Sequence, residues 1–467
     1  MLWSTRTEPM PRKALVGLIL AILIPLTVLL YPGDLSLPSR LALAISAFTI
    51  LFWTFEPVPI EYTSLIMLLL FPLLGVIPFQ TTFAAFSGKA VWLVFSGMAL
   101  SLAITETPLG TRLARLVLGR IGSYGKLLLS IHLLGVLSAL LIPSGVVRVL
   151  ILMPIIVSLL KALGEKPGSR TSAALILSLM CSTYYGGTGV LTASVPNMVV
   201  FGVMESRNIS IFWGEWALYL FPVIGLLRVG CCYLLIRLLL PVRPPPMLAA
   251  IPTDTPDIPA AVTPAEKKTV GILLLGILCW AADALHGIHP ATIGLALVLL
   301  CYLPGWGPLS PDRLKGVNFP ILIYIAAVFA MGYALETTGF NAHLAGILTG
   351  WLDLSEADTL FKLGAITCLT VPFDFLADTA AIAGVLTPLL LDFGAGIGLP
   401  PLPTALSVAV GTSFVCIPYQ SAPWVLAYSF RYVRMGQFIL TMTLISALTL
   451  LLLLPLNLLY WRLIGLI

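Results

Sequence analysis

The sequence predicts an all-α integral membrane protein with about eleven transmembrane helices, two re-entrant hairpins and two inverted repeats. Three observations carry this expectation. Of 467 residues, 59% are hydrophobic and 10% charged, whereas a soluble domain coats itself with about a quarter charged residues. Apolar runs near the length of a bilayer crossing, about 20 residues, recur along the whole chain. The chain also repeats its own breaks at matching intervals on either side of one polar linker.

Composition excludes several function classes. The 25 bases and 20 acids leave a charge of +5, with no basic stripe interleaved with aromatics, so no nucleic-acid partner is expected. The seven cysteines lie inside apolar runs without CxxC spacing, which predicts neither a disulfide framework nor a zinc site. His132, His286, His289 and His343 lack a metal-ligand pattern, so no metal site is expected. No nucleophile elbow or catalytic cluster stands out, which leaves a membrane enzyme acting on lipid a weak alternative.

The first apolar run, 14–31, follows Arg12 and Lys13 and lacks a small-residue cleavage site. It reads as a retained N-terminal helix within residues 1–39. Further spans are expected at 40–55, 57–76, 90–106, 171–194, 211–240, 268–285, 289–303, 319–337, 402–429 and 436–461. Two apolar stretches, 126–160 and 359–391, are interrupted at Pro143-Ser144-Gly145 and between Asp374 and Thr379. Their arms read as half to two-thirds of a span, the pattern of hairpins that enter and leave by one face.

With the N-terminus inside, 18 bases fall on the cytoplasmic side and 5 outside, while Arg148 and Arg228 lie within the membrane. That satisfies the positive-inside rule and predicts a multi-pass cell (inner) membrane protein with a cytoplasmic N-terminus. Residues 241–267 form the one long polar stretch, rich in proline, and read as an extended cytoplasmic linker. It separates a first repeat at 40–240 from a second at 268–435, with a C-terminal helix at 436–467.

The halves match in detail. Ala103 to Thr107 corresponds to Tyr333 to Thr337. Ser144 to Pro154 and Asp378 to Pro388 are both ten residues apart. Val195-Pro196-Asn197 corresponds to Ala422-Pro423-Trp424. In the expected topology the first hairpin opens from the cytoplasm and the second from outside. Broken helices at paired positions of inverted halves place free helix ends near the midplane, where N-termini suit an anion and unwound carbonyls a small cation. This arrangement predicts a transporter of a small anionic substrate, embedded in the lipid bilayer.

The segments GKAVWLVFSGMALSLAITETPLGTRLA and VNFPILIYIAAVFAMGYALETTGFNAHLA, the hairpins ending in LILMPII and GVLTPLL, and ASVPNMVVFG carry a resemblance. Together they resemble the divalent anion/sodium symporter family, which includes dicarboxylate and sulfate carriers and dicarboxylate exchangers. The resemblance implies a homodimer with scaffold and moving parts. It further implies elevator-type alternating access, with substrate held between two hairpin tips and two broken helices. Family tips carry Ser-Asn-Thr. Here the first reads Ser144-Gly145-Val146, and the second reads Asp378-Thr379-Ala380 or, one residue earlier, Ala377-Asp378-Thr379. No cofactor is expected apart from a coupling sodium ion, which the resemblance leaves open beside protons and counter-anions.

Ser144, Gly145, Arg148, Asn197, Asp378, Thr379 and Ser421 are therefore the expected substrate-binding residues. Arg148 follows the tip by one helical turn, as in exchanger members of the family. It offers a fork for carboxylate or sulfate, can replace a cation, or can pair with Asp374 or Asp378. Asp374 and Asp378, four residues apart, can bind a cation, carry a proton or neutralise Arg148. Thr188 and Thr412 join them as coupling candidates. Thr183, Thr192, Ser194, Ser413 and Gln420 complete the polar set near the breaks. A sodium/proton antiporter or arsenite-type permease, using the two aspartates as cation ligands, is the competing transport reading.

Overall fold

The computed structural model describes residues 12–30, 33–118, 123–241, 261–354 and 356–467. Most of the expected linker, 242–260, lies outside the described residues. Among the described residues regular structure is helical, with no strand.

The first half comprises α1 (Arg12–Leu30), α2 (Leu37–Phe55), α3 (Ile60–Leu73), the short α4 (Phe79–Thr82), α5 (Lys89–Thr105), α6 (Leu109–Leu118), α7 (Tyr124–Leu141), α8 (Gly145–Ala162), α9 (Arg170–Thr188), α10 (Val195–Ser206), α11 (Trp213–Leu220) and α12 (Arg228–Leu239). The second comprises α13 (Pro264–Ala281), the short α14 (Asp283–His286), α15 (Pro290–Cys301), α16 (Pro320–Thr337), α17 (Phe340–Trp351), α18 (Thr359–Thr370), α19 (Thr379–Gly396), α20 (Pro401–Gly411), α21 (Ala422–Ser429), α22 (Met435–Leu448) and α23 (Leu454–Leu463). The π-helical segments Phe221–Leu227 and Thr449–Leu453 join α11 to α12 and α22 to α23.

Among the described residues seven helical stretches have the length and hydropathy to cross a membrane, or eight if α5 with α6, bent by 73°, is one span. The remaining apolar runs fold as shorter or interrupted helices. Their breaks have local causes. Proline lacks the amide that would continue a preceding helix but suits the first turn of a new one. Thus α9 ends at Thr188 after Gly186-Gly187, and α10 restarts with Pro196. In the same way α20 ends at Gly411 and α21 restarts with Pro423.

The two stretches expected as hairpins fold as helix pairs broken at the expected places, α7 with α8 and α18 with α19, and most of these arms are longer than half to two-thirds of a span. Helices α7, α8 and α19 have 18 residues each, or about 27 Å. Only α18, at 12 residues, is short, because Pro372 tightens Val371–Phe375 into a 3-10 turn. The buried apolar side chains fall into two clusters. One includes Phe95, Val199, Val328, Ala380 and Phe414, the other Ile131, Leu152, Tyr185, Trp424 and Phe438. The hairpin tips and broken helices lie along the seam between them.

Candidate functional site

Four helices begin at the seam: α8 and α19, whose first turns are capped by the Ser144 and Asp378 side chains, and α10 and α21, which follow Ser194 and Ser421 without a side-chain cap. Contacts tie these starts together. A Cβ on Gly145 would lie 2.8 Å from Pro423 Cγ, so the first tip reaches the second broken helix only because residue 145 is glycine. Asp378 accepts the Ala380 amide at 2.9 Å and the Tyr324 hydroxyl at 3.3 Å, and its carboxylate lies near the Ala422 amide. The start of α19 is thereby joined to the start of α21. The partial positive charge of converging helix N-termini favours an anion, and at α19 the Asp378 carboxylate already takes part of it.

The side-chain amides hold the breaks open in parallel ways. Asn197 donates to the carbonyls of Gly187, Thr188 and Val190 at 3.2, 3.1 and 3.0 Å. Gln420 accepts from the Cys416 and Ile417 amides at 2.6 and 2.7 Å and donates to the Asp374 carbonyl at 3.0 Å. Each amide satisfies backbone groups that a broken helix leaves unpaired. Asn197 thus spends its nitrogen on the backbone.

Arg148 is 2% exposed. Its Nη1 donates to the Ile142 carbonyl at 2.8 Å and its Nη2 to the Ala193 carbonyl at 3.0 Å. Of the alternatives for Arg148, an ion pair with Asp374 or Asp378 is not formed: among the described residues no salt bridge joins them, and the guanidinium is turned to the carbonyls of the first tip and the first break. A Cβ on Gly187 would sit 2.8 Å from Arg148 Nη2, so the glycine admits the guanidinium. The positive charge fills a carbonyl-lined position of the kind a small cation prefers.

Asp374 is fully buried, and neither carboxylate oxygen has a hydrogen-bond partner. The hydroxyl of Thr379, also buried, is likewise unpartnered. Tyr184 faces this group from α9, among Asp374, Asp378, Thr379 and Ser421. Of the other coupling candidates, Thr188 donates to the Tyr185 carbonyl at 2.7 Å and Thr412 to the Ala409 carbonyl at 3.2 Å. Both hydroxyls are turned to their own helices, the usual behaviour of such residues.

The sequence reading did not single out Tyr184, Tyr185, Tyr324 or Trp424, all of which line this seam. Tyr184 packs 5.7 Å from Trp424 between ring centroids. Their position was legible in principle, because the tyrosines directly precede Gly186-Gly187 and Trp424 directly follows Pro423.

Helices interrupted at paired positions, with helix starts converging on a buried polar seam, define a membrane transporter. The chain belongs to the family described as "Sodium:sulfate symporter transmembrane region", whose model matches residues 12–467. It is 25% identical over 405 residues to a membrane protein of Cupriavidus necator, covering 81% of this chain and 77% of that protein. It is 24% identical over 373 residues to the L-tartrate/succinate antiporter of Escherichia coli K12, covering 75% and 74%. In fold it is similar to the Alcanivorax borkumensis YdaH transporter, with a TM-score of 0.59 at 17% identity, covering 97% of this chain and 99% of that one.

Proposed function

We propose that the protein is a secondary active transporter of small divalent anions, dicarboxylate or sulfate, working by elevator-type alternating access as a homodimer. The observation that carries this reading is the convergence of helix starts on one buried seam: α8 meets α21 through Gly145 with Pro423, α19 approaches α21 through Asp378 with Ala422, and Arg148 ties α8 to the break before α10 at Ala193. Such a seam suits an anion stripped of water. Coupling is by exchange with a counter-anion or by a cation or proton on Asp374 and Asp378. Arg148 favours exchange, because its guanidinium occupies carbonyls that a sodium ion would otherwise use. The likeness to proteins named L-tartrate/succinate antiporter points the same way.

The two halves are inverted with respect to the membrane in this reading, with the N-terminus cytoplasmic. The ion pairs support it, since each joins residues that the expected topology places on one side. Arg112 with Glu266 and Arg313 with Glu106 fall inside, whereas Arg207 with Glu336 and Asp392, and Lys89 with Glu205, fall outside. An antiporter or permease using only the aspartates would leave two buried intramembrane arginines without purpose, at considerable cost.

A thermal-stability screen of the purified protein against succinate, tartrate, malate and sulfate, with and without sodium, tests the reading. A bound anion raises the apparent midpoint by mass action. At least one of these dianions is expected to raise it in a concentration-dependent way; a flat response to all of them contradicts the proposal.

A further inference from the structure

Arg228 lies midway along the 27-residue stretch Trp213–Leu239 and is fully buried. It directly follows the π-helical segment Phe221–Leu227, a local distortion that often marks functional positions. Its guanidinium carbon sits 3.7 Å from the centroid of the Tyr185 ring and 5.0 Å from that of Phe414. Nη1 donates to the Ser413 hydroxyl at 2.7 Å. Tyr185 belongs to the first broken helix, whereas Ser413 and Phe414 follow the end of α20 in the second. The guanidinium is thus stacked, anchored at one nitrogen and shared between both breaks.

Its other two nitrogens, Nε and Nη2, have no hydrogen-bond partner, and the neighbouring Tyr185 hydroxyl is also unpartnered. In a guanidinium the Nε–H and one Nη2–H point the same way and form the planar edge that receives the two oxygens of a carboxylate. Among the described residues no carboxylate forms a salt bridge with Arg228. The contrast with Arg148 is instructive. That residue commits both Nη atoms to carbonyls and keeps only Nε free, so it presents no such edge. Of the two intramembrane arginines, Arg228 is the one with an open fork.

We infer that Arg228 is an anion-binding residue that receives one carboxylate of a transported dicarboxylate through its Nε/Nη2 edge. The other carboxylate is assigned to the helix starts of the seam, toward which Tyr184, the neighbour of the stacked Tyr185, faces at Ser421. Cation–π stacking on Tyr185 and Phe414 helps keep the guanidinium charged and flat in an apolar surrounding while no anion is present. The inference rests on the anion-carrier reading but makes a separate demand. Two anionic ends are recognised by different groups, so a dianion must be distinguished from a monoanion of the same length by Arg228.

The test compares succinate with butyrate on wild-type protein, Arg228→Gln and Arg228→Lys, by ligand-induced thermal stabilisation. Arg228→Gln should weaken succinate binding by about ten- to hundredfold, the range for a lost charged hydrogen-bonding group, and leave any butyrate response unchanged. Arg228→Lys keeps the charge without the planar edge and should fall between. It also serves if Arg228→Gln fails to fold. Wild-type succinate affinity in either folded variant overturns the inference, as does equal weakening of both ligands, which marks a merely structural role. If wild-type protein responds to no dicarboxylate, the carrier reading itself fails, and the inference with it.

Discussion

The guanidinium of Arg148 donates 3.0 Å to the carbonyl of Ala193, tying the first hairpin to the break between α9 and α10. The Ile142 carbonyl at the tip and the Ala193 carbonyl at the break therefore share one buried positive charge. Removing that charge has two consequences. The carbonyls of Ile142 and Ala193 lose their partner, at about 1–3 kcal/mol each if left dry, and the seam becomes less favourable to an anion. Arg148→Ala is expected to abolish anion uptake into proteoliposomes. Arg148→Lys should not restore it, because a single ammonium nitrogen does not take the two positions that Nη1 and Nη2 hold against the Ile142 and Ala193 carbonyls. Uptake at the wild-type rate in Arg148→Ala would remove the residue from the site.

Close approach at the first tip makes a second expectation. With 2.8 Å between a Cβ at 145 and Pro423 Cγ, Gly145→Val must push α8 from α21. Overpacking of this kind costs about 1–3 kcal/mol. The thermal midpoint should fall modestly while anion binding is lost. Unchanged binding with unchanged stability would show that the tip and the second broken helix are not in contact.

Asp374 yields a third. A carboxylate with both oxygens unpartnered in a dry site is unfavourable when charged, and Asp378 adds a like charge nearby. Asp374→Asn preserves shape and removes the ionisable group. The variant is expected to be at least as thermally stable as wild-type protein, with transport that depends less on pH or on a cation gradient. Transport with the full wild-type dependence would exclude Asp374 from coupling.

A fourth concerns the cytoplasmic side of the expected topology. Glu266 begins α13, ahead of the apolar run from 268, and accepts from Arg112 Nε at 2.6 Å and from the Thr263 amide at 2.7 Å. The Arg112 guanidinium foremost, with the Thr263 donors, holds its carboxyl down at about 2. Because this value is below the unfolded one, the pair's contribution is fully present above the ordinary carboxylate range of about 4.3. It is lost as pH falls from there through about 2. Thermal midpoints of Glu266→Gln should lie below wild type at neutral pH and converge with it in acid. A gap that stays constant down to pH 3 would contradict the assignment.

How much of this was legible in the sequence depends on range. The broken apolar stretches and the paired breaks were readable because Pro, Gly and apolar length act locally. Asn197, Ser421 and Asp378 were found as residues next to such breaks. What each side chain touches was not readable. Whether Arg148 meets Asp378 or the Ala193 carbonyl depends on how two hairpins dock, and spacing along the chain carries no information about that. Arm length was misjudged although the stretch 126–160, broken at Pro143-Ser144-Gly145, already left room for nearly full-length arms: α7 begins at Tyr124 and α8 ends at Ala162. Arg228 was visible as an intramembrane charge, but its open edge emerges only from the stacking of Tyr185 and Phe414, residues far apart in the chain.

The central claim, that a small dianion crosses the membrane through this seam, is tested most directly by radiolabelled succinate uptake into proteoliposomes. The vesicles are preloaded with succinate, tartrate or nothing, under imposed sodium or proton gradients. The account predicts saturable uptake that an internal dicarboxylate or an inward cation gradient accelerates, and that Arg148→Ala loses. No uptake of succinate, tartrate, malate or sulfate above empty vesicles under any of these gradients would contradict it.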